Sequence, residues 1–285
     1  SLLLVFFIII VGGFTRLTNS GLSITEWELF KGILPPFNEN NWIYYFDEYK
    51  KIPQYKFLNP NMTMEEFKVI FYWEYAHRIL ARFIGLFFLI PLIYFYFSKE
   101  IKKNYLNICL VIFSLILIQG FIGWYMVKSG LVNDITVSHY RLSMHLSIAI
   151  FIISMMFWLI KNLKLKTYRN FFSLSKNNLP FVLLILLIYL QIIIGAFVSG
   201  LDAGKIYQTW PMMGNTFFPD DTRLSIYNLS DFNSHSLVQF YHRNLAYIIL
   251  IYVLFLSIFI YKQKISFLYN PLKIFLFFLL LQIFF

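Results

Sequence analysis

The chain has 285 residues, 59% of them hydrophobic and 13% charged, with a mean hydropathy of +0.65, against the roughly 25% charged usage of a soluble domain. This excludes a water-soluble globule, and a single cysteine, Cys109, excludes an internal disulfide and any cysteine-built zinc or iron–sulfur centre. The net charge of +10 points to nucleic acid only if it gathers on one surface, and in a membrane protein basic residues usually mark the inner loops instead.

Seven apolar runs follow one another: Leu2 to Phe14, Phe67 to Phe97, Tyr105 to Val127, Ser138 to Ile160, Leu179 to Ser199, Leu237 to Tyr261 and Leu272 to Phe285. The first and last fall short of the roughly 20 residues that cross a bilayer. The chain opens on Ser1 and stops inside an apolar run, which reads as a fragment cut at both ends. The second, fourth and sixth connections hold eleven basic residues against Glu100 alone, while the first, third and fifth hold ten, Arg223 among them, against twelve acids. The even connections are therefore expected on the cytoplasmic or matrix side, and no basic surface remains for nucleic acid. The first connection, with Pro35, Pro36, Trp42 and several tyrosines, reads as a short folded cap or interfacial segment.

The sequence repeats. Val11-Gly12-Gly13-Phe14, Gly21 and Trp27 align with Ile194-Gly195-Ala196-Phe197, Gly204 and Trp210 at an offset of 183, His77-Arg78 with His242-Arg243 at 165, and Ile118-Gln119 with Leu281-Gln282 at 163. The expected fold is an all-α integral membrane protein of two pseudo-symmetric four-helix bundles. Eight spans are expected, about six of them complete here, with the halves at 1–165 and 166–285. Parallel repeats of this kind place equivalent sites in each half, so His145 should have a counterpart near position 308, past the last residue.

Three histidines, His77, His145 and His242, lie at similar depth in spans of the same direction. An imidazole in hydrocarbon needs a partner, and intramembrane histidines default to function. Two imidazoles facing each other across a four-helix bundle can supply both axial bonds to a haem iron; His77 with His145 would make one such site. The structural alternative is a histidine hydrogen-bonded to a neighbouring helix. Glu74 precedes His77 by three residues and so shares its helix face. It is read as a proton acceptor or cation-stabilising group, against a plain ion pair with Arg78; the equivalent position in the second half is Gln239. Arg78, Arg82, Arg141 and Arg243 surround the histidines as candidates for haem propionates, with snorkelling to lipid headgroups as the alternative. His139 and His235 read as interfacial. Gly12-Gly13, Gly120 with Gly123, and Gly195 with Gly200 are expected to let helices approach closely.

Gly-Gly-Phe-Thr-Arg-Leu-Thr-Asn-Ser-Gly-Leu-Ser at 12–23, Trp-Glu-Tyr-Ala-His-Arg at 73–78, Tyr-Arg-Leu-Ser-Met-His at 140–145, Gly-Leu-Asp-Ala-Gly at 200–204, Thr-Trp-Pro-Met-Met at 209–213 and Gln-Phe-Tyr-His-Arg at 239–243 together closely resemble the haem A synthase family. The first connection lacks a cysteine pair and so resembles the subgroup without loop cysteines. The resemblance implies an oxidoreductase that converts haem O to haem A for terminal oxidase assembly. One ring methyl becomes a formyl group through successive hydroxylations, with water as the oxygen source. It further implies that His77 and His145 hold the substrate haem, that Glu74 is the catalytic carboxylate, and that His242 is an axial ligand to a haem b cofactor. The implied partners are haem O and the haem O synthase that supplies it, an electron acceptor and membrane lipid; a homo-oligomer stays open. The implied location is the bacterial cytoplasmic membrane, with the mitochondrial inner membrane as alternative. Two competing readings are a dihaem b-type cytochrome that oxidises quinol and alters no haem, and a transporter whose histidines and Glu74 relay protons.

Overall fold

The computed structural model describes residues 1–26, 31–133, 135–166, 169–222 and 229–284. Trp27, Arg223 and Phe285 lie outside the described residues. Nine α-helices account for the regular structure among them: α1 Leu2–Leu17, α2 Glu39–Lys50, α3 Pro53–Leu58, α4 Met64–Phe97, α5 Lys103–Asn133, α6 His139–Leu165, α7 Leu179–Gly200, α8 His235–Lys262 and α9 Tyr269–Phe284. Six helical stretches are long and apolar enough to cross a membrane, and the 16-residue α1 is shorter. The protein is an integral membrane protein of the all-α class. Local chemistry sets the helix starts. Thr63 and Glu66 close a capping box at α4, Ser234 accepts a hydrogen bond from the Leu237 amide at α8, and proline opens α3 and α7 where its missing N–H costs nothing.

The last helix begins earlier than hydropathy predicts, at Tyr269 after a 3₁₀ turn at Ser266–Leu268, and with that turn it reaches spanning length. The polar opening Tyr269-Asn270-Pro271 hides this from an apolar count, yet a proline in the first turn sacrifices no helical hydrogen bond.

The chain forms two compact units, Ser1–Phe171 and Phe172–Phe285. In the first, α1 packs on α4 and α6, and α5 packs on α4 and α6. These contacts close a four-helix ring with α4 and α6 on opposite corners. Its interior is filled by Val5, Ile84, Ile108, Ile112, Ile152, Met155 and Met156. A second cluster, Leu22, Trp42, Phe46, Tyr49, Phe67 and Phe71, joins the first connection to the start of α4. Tyr49 is fully buried there; its hydroxyl donates to Gln54 Oε1 at 3.0 Å and accepts from Asn59 Nδ2 at 2.8 Å. The first connection is therefore a folded cap with its own core. His77 and His145 fall between the two clusters along their helices. In the second unit α8 packs on α7 and α9 around Ile194, Leu245, Ile249, Val253 and Leu256. Exposed faces of both units are apolar, Phe83, Phe87 and Ile90 on α4 and Ile251, Phe255 and Ile258 on α8 among them, as lipid contact requires.

Candidate functional site

His77 on α4 and His145 on α6 meet across the diagonal of the first bundle, with ring centroids 6.5 Å apart and ring planes inclined at 37°. A metal bonded to two imidazole nitrogens at about 2 Å each sets the ring centres roughly 6 Å apart, since each centre lies about 1 Å behind its nitrogen. The observed spacing fits one metal shared by both rings. Each ring is only half-buried, but its Nδ1 is buried and has no hydrogen-bond partner among the described residues; His242 in the second unit is in the same condition. No group of three or more His, Cys, Asp or Glu able to hold a bare metal ion occurs among the described residues. A porphyrin brings four nitrogens of its own, so a haem asks the protein for two ligands and no more. The residues present fit that group.

The histidine-bearing helices are held in place by matching contacts. Gln119 on α5 donates its amide N–H to the His145 carbonyl at 2.9 Å, and Gln191 on α7 donates to the His242 carbonyl at 3.1 Å. Gln191 Nε2 also lies 3.4 Å from His242 Nε2.

The surroundings of Glu74 repeat almost atom for atom in the second unit. Glu74 Oε2 accepts from the Ile24 amide at 2.8 Å and from Ser23 Oγ at 2.7 Å, and Oε1 accepts from Arg78. Arg78 in turn donates to the carbonyls of Ile24 and Glu26 at 2.8 and 3.2 Å. In the second unit Gln239 Oε1 accepts from the Tyr207 amide at 3.1 Å, and Arg243 donates to the carbonyls of Tyr207 and Thr209. Residues 24 and 26 become 207 and 209 at the repeat offset of 183. Each pair is thus a clamp that ties the loop after one span to the helix carrying the histidine. Gln239 differs in its partners: Ile206 stands where Ser23 does and offers no hydroxyl, and the Gln239 amide donates to the carbonyls of Gly204 and Tyr207, which a carboxylate cannot do. Beyond the clamp, the Tyr207 hydroxyl donates to Asp220 at 2.7 Å. Burial, and then that bond, push the tyrosine up to about 12, while the tyrosine hydroxyl and the Asn215 amide hold the Asp220 carboxyl below its ordinary range.

The family model of COX15-CtaA, cytochrome oxidase assembly protein, matches residues 1–285. The chain belongs to this family. Its relatives include the haem A synthase of Pelagibacter ubique, 51% identical over 270 residues that cover 93% of this chain and 79% of the relative. That of Rickettsia bellii is 45% identical over 258 residues, covering 90% and 77%, and that of Parvibaculum lavamentivorans 43% over 253 residues, covering 88% and 72%. No solved structure matches the chain.

In this COX15-CtaA protein the remaining expected residues sit as follows. Arg82 lines a small, partly open cleft with Glu26, Tyr45, Tyr75 and Arg78. Arg141, one turn before His145, lies over the Tyr125 ring at 5.2 Å. His139 is buried at the first turn of α6 against Tyr140, not exposed at a membrane surface as an interfacial residue would be; His235 is exposed at the start of α8. Of the repeat partners Trp27 and Trp210, the first is outside the described residues and the second is exposed, its indole donating to the Tyr247 hydroxyl at 2.7 Å. In the sequence Gln119 stands out only as part of the repeat, and Gln191 does not stand out at all. The available signal was Gln-x-x-x-Gly, which occurs at 119–123 and 191–195 in the spans before two of the three histidines.

Proposed function

We propose that this protein is a haem A synthase, an oxidoreductase of haem biosynthesis that oxidises one methyl group of haem O to a formyl group. The observation that carries the reading is the His77–His145 pair, 6.5 Å apart across one bundle, in a chain whose relatives bear that name. In this reading water supplies the oxygen, and the protons and electrons released leave to an acceptor.

His77 and His145 hold the substrate haem O from opposite sides and fix the ring relative to Glu74, one helical turn from His77 on the same face. Glu74 accepts a proton at Oε1 or Oε2, or stabilises positive charge developing at the methyl carbon. Its position depends on Arg78, Ser23 and Ile24, which donate hydrogen bonds to it. His242 would hold haem b, which when bound would supply one-electron transfer. Arg82 and Arg141 are placed to receive propionates. Arg78 and Arg243 have a prior engagement in the loop clamps and contribute to the site by positioning. The halves 1–165 and 166–285 divide the work as substrate site and cofactor site. Haem O arrives from the haem O synthase, and the bacterial cytoplasmic membrane is the setting.

A dihaem electron-transfer cytochrome is favoured by one observation: both oxygens of Glu74 are already hydrogen-bonded inside the protein. The test is production of the full-length protein in cells that make haem O, with extracted haems separated by chromatography. Haem A appears if the reading is right. A Soret band with haem O unchanged selects the cytochrome, and a purified protein without a Soret band rejects both in favour of a transporter.

A further inference from the structure

Each of the three intramembrane histidines rests against a glycine of the preceding span. A Cβ placed on Gly12 of α1 would stand 3.1 Å from His77 Cε1 and 3.5 Å from its Nδ1. On Gly123 of α5 it would stand 3.0 Å from His145 Cε1, and on Gly195 of α7 it would stand 3.0 Å from His242 Cε1. These distances are tighter than ordinary side-chain contacts, so alanine requires the ring to give by a few tenths of an ångström. Close helix packing in general does not explain them: at Gly13, Gly85 and Gly120 an added Cβ meets nothing within 4 Å. Outside the three positions that face an imidazole edge, so close a contact is found at Gly130 against Leu22 and at Gly214 against Asp220; the imidazole contact recurs in both units, with Gly12 and Gly195 related by the same offset of 183.

A second observation gives the contact a role. A metal-binding histidine ordinarily donates its second ring N–H to a carboxylate, carbonyl or water, and that bond sets tautomer and ring orientation. Here Nδ1 of His77, His145 and His242 is buried with no such partner among the described residues. The ring edge meets glycine backbone where the orienting acceptor would stand. Dense packing can fix orientation in its place, because a close-packed interior resists displacement as strongly as a directional bond. On α5 and α7 the device has a second part: the glutamine one turn before the glycine binds the carbonyl of the same histidine. On α1 that position is Ile8, so His77 has the glycine contact without the glutamine bond.

We propose that Gly12, Gly123 and Gly195 are positioning residues: backbone seats that set the orientation of the three haem-ligating imidazoles by contact, in place of a hydrogen bond to Nδ1. The proposal rests on the haem reading given above. It makes the inclination of the ring planes a property of helix spacing, and leaves the imidazoles neutral and unpolarised by any anionic partner.

The test uses the full-length protein loaded with haem, and reads the low-spin ferric electron paramagnetic resonance signal, which depends on the inclination and strain of the two axial rings. Gly12→Ala is compared with Gly13→Ala, and Gly123→Ala with Gly120→Ala, each pair differing in the presence of a ring beyond the added methyl. The expected result is a shifted low-spin signal in Gly12→Ala and Gly123→Ala, larger in the first, with Gly13→Ala and Gly120→Ala matching the parent. Signals that match the parent in all four variants overturn the seats while leaving haem binding intact. A parent protein with no low-spin signal overturns the haem reading itself. If Gly12→Ala fails to accumulate, Gly195→Ala in the other unit puts the same claim to the signal of the His242 haem, and an unshifted signal there refutes it.

Discussion

Replacing Glu74 by glutamine separates two roles that the structure superimposes on one side chain. The carboxylate carries the chemistry proposed for it, and it also holds Ser23, Ile24 and Arg78. With its side chain only 5% exposed and that of Arg78 13% exposed, Glu74→Ala leaves the Ile24 amide and one N–H of the charged Arg78 short of an acceptor, while Ser23 can turn to the Ile70 carbonyl, at a cost of about 3–5 kcal/mol. Loss of activity in that variant would say little. Glu74→Gln is informative because the protein already contains the comparison. Gln239 holds the Tyr207 amide in the second unit while Arg243 satisfies itself on loop carbonyls. In the variant the amide oxygen keeps the Ile24 and Ser23 bonds, Arg78 keeps the carbonyls of Ile24 and Glu26, and only the charge-assisted bond is lost, at about 1–3 kcal/mol. The expected outcome is a melting temperature lower by a few degrees, haem retained at parental stoichiometry, and no haem A in extracts separated by chromatography. Haem A at the parental yield would refute the catalytic role and leave Glu74 as a loop clamp alone. Loss of haem together with a collapse of thermal stability would refute the claim that glutamine sustains the clamp.

Arg243→Lys should release the loop after α7, because an ammonium point charge cannot reach the carbonyls of Tyr207 and Thr209 together as the guanidinium fork does; limited proteolysis should then cut within 204–222 faster than in the parent, and an unchanged rate would contradict the clamp. Acidification should loosen the same loop as the pH falls through the depressed titration of Asp220. The anion is what accepts the Tyr207 hydroxyl and Asn215 amide, and its contribution is present above the ordinary carboxylate range and lost below it; exchange protection at Asn215, taken relative to the intrinsic rate at each pH, should fall on acidification in the parent and stay constant in Asp220→Asn, and equal pH responses in the two would contradict it. Tyr49→Phe should destabilise the folded cap by about 1–2 kcal/mol, since it leaves Oε1 of buried Gln54 and Nδ2 of half-buried Asn59 each short of a hydrogen bond, read as a lower melting temperature with little change in haem content.

Much of this architecture is legible in the residue pattern because it is periodic. Apolar runs give the spans, and the offset of 183 between Gly12 and Gly195 extends to hydrogen bonds at residues 24 and 207 that no hydropathy profile contains. The depth of His77 and His145 is readable from helical rise, and their meeting follows once α4 and α6 occupy opposite corners of the ring. The engagement of Glu74 is not readable in this way. Its partners Ser23 and Ile24 are some 50 residues away in the chain, in an irregular segment whose path is fixed by the core around Tyr49 and Phe67. The helices α2 and α3 are also hard to see, since Glu39–Lys50 mixes charge and aromatic residues without a clean apolar stripe; their signals are the Asn38 cap and the proline at the start of α3. The glycines of 12, 123 and 195 are visible as helix-contact residues, but that each faces an imidazole depends on side-chain direction across an interface, which spacing within one helix does not encode.

The claim on which the rest depends is that residues 77 and 145 bond one iron. The most direct measurement is near-infrared magnetic circular dichroism of the ferric full-length protein loaded with haem O, where a pair of axial imidazoles has its own charge-transfer signature. The signature should be present in the parent and, in both His77→Ala and His145→Ala, should fall to the share contributed by the His242 haem. A parental signature surviving in either variant would contradict it.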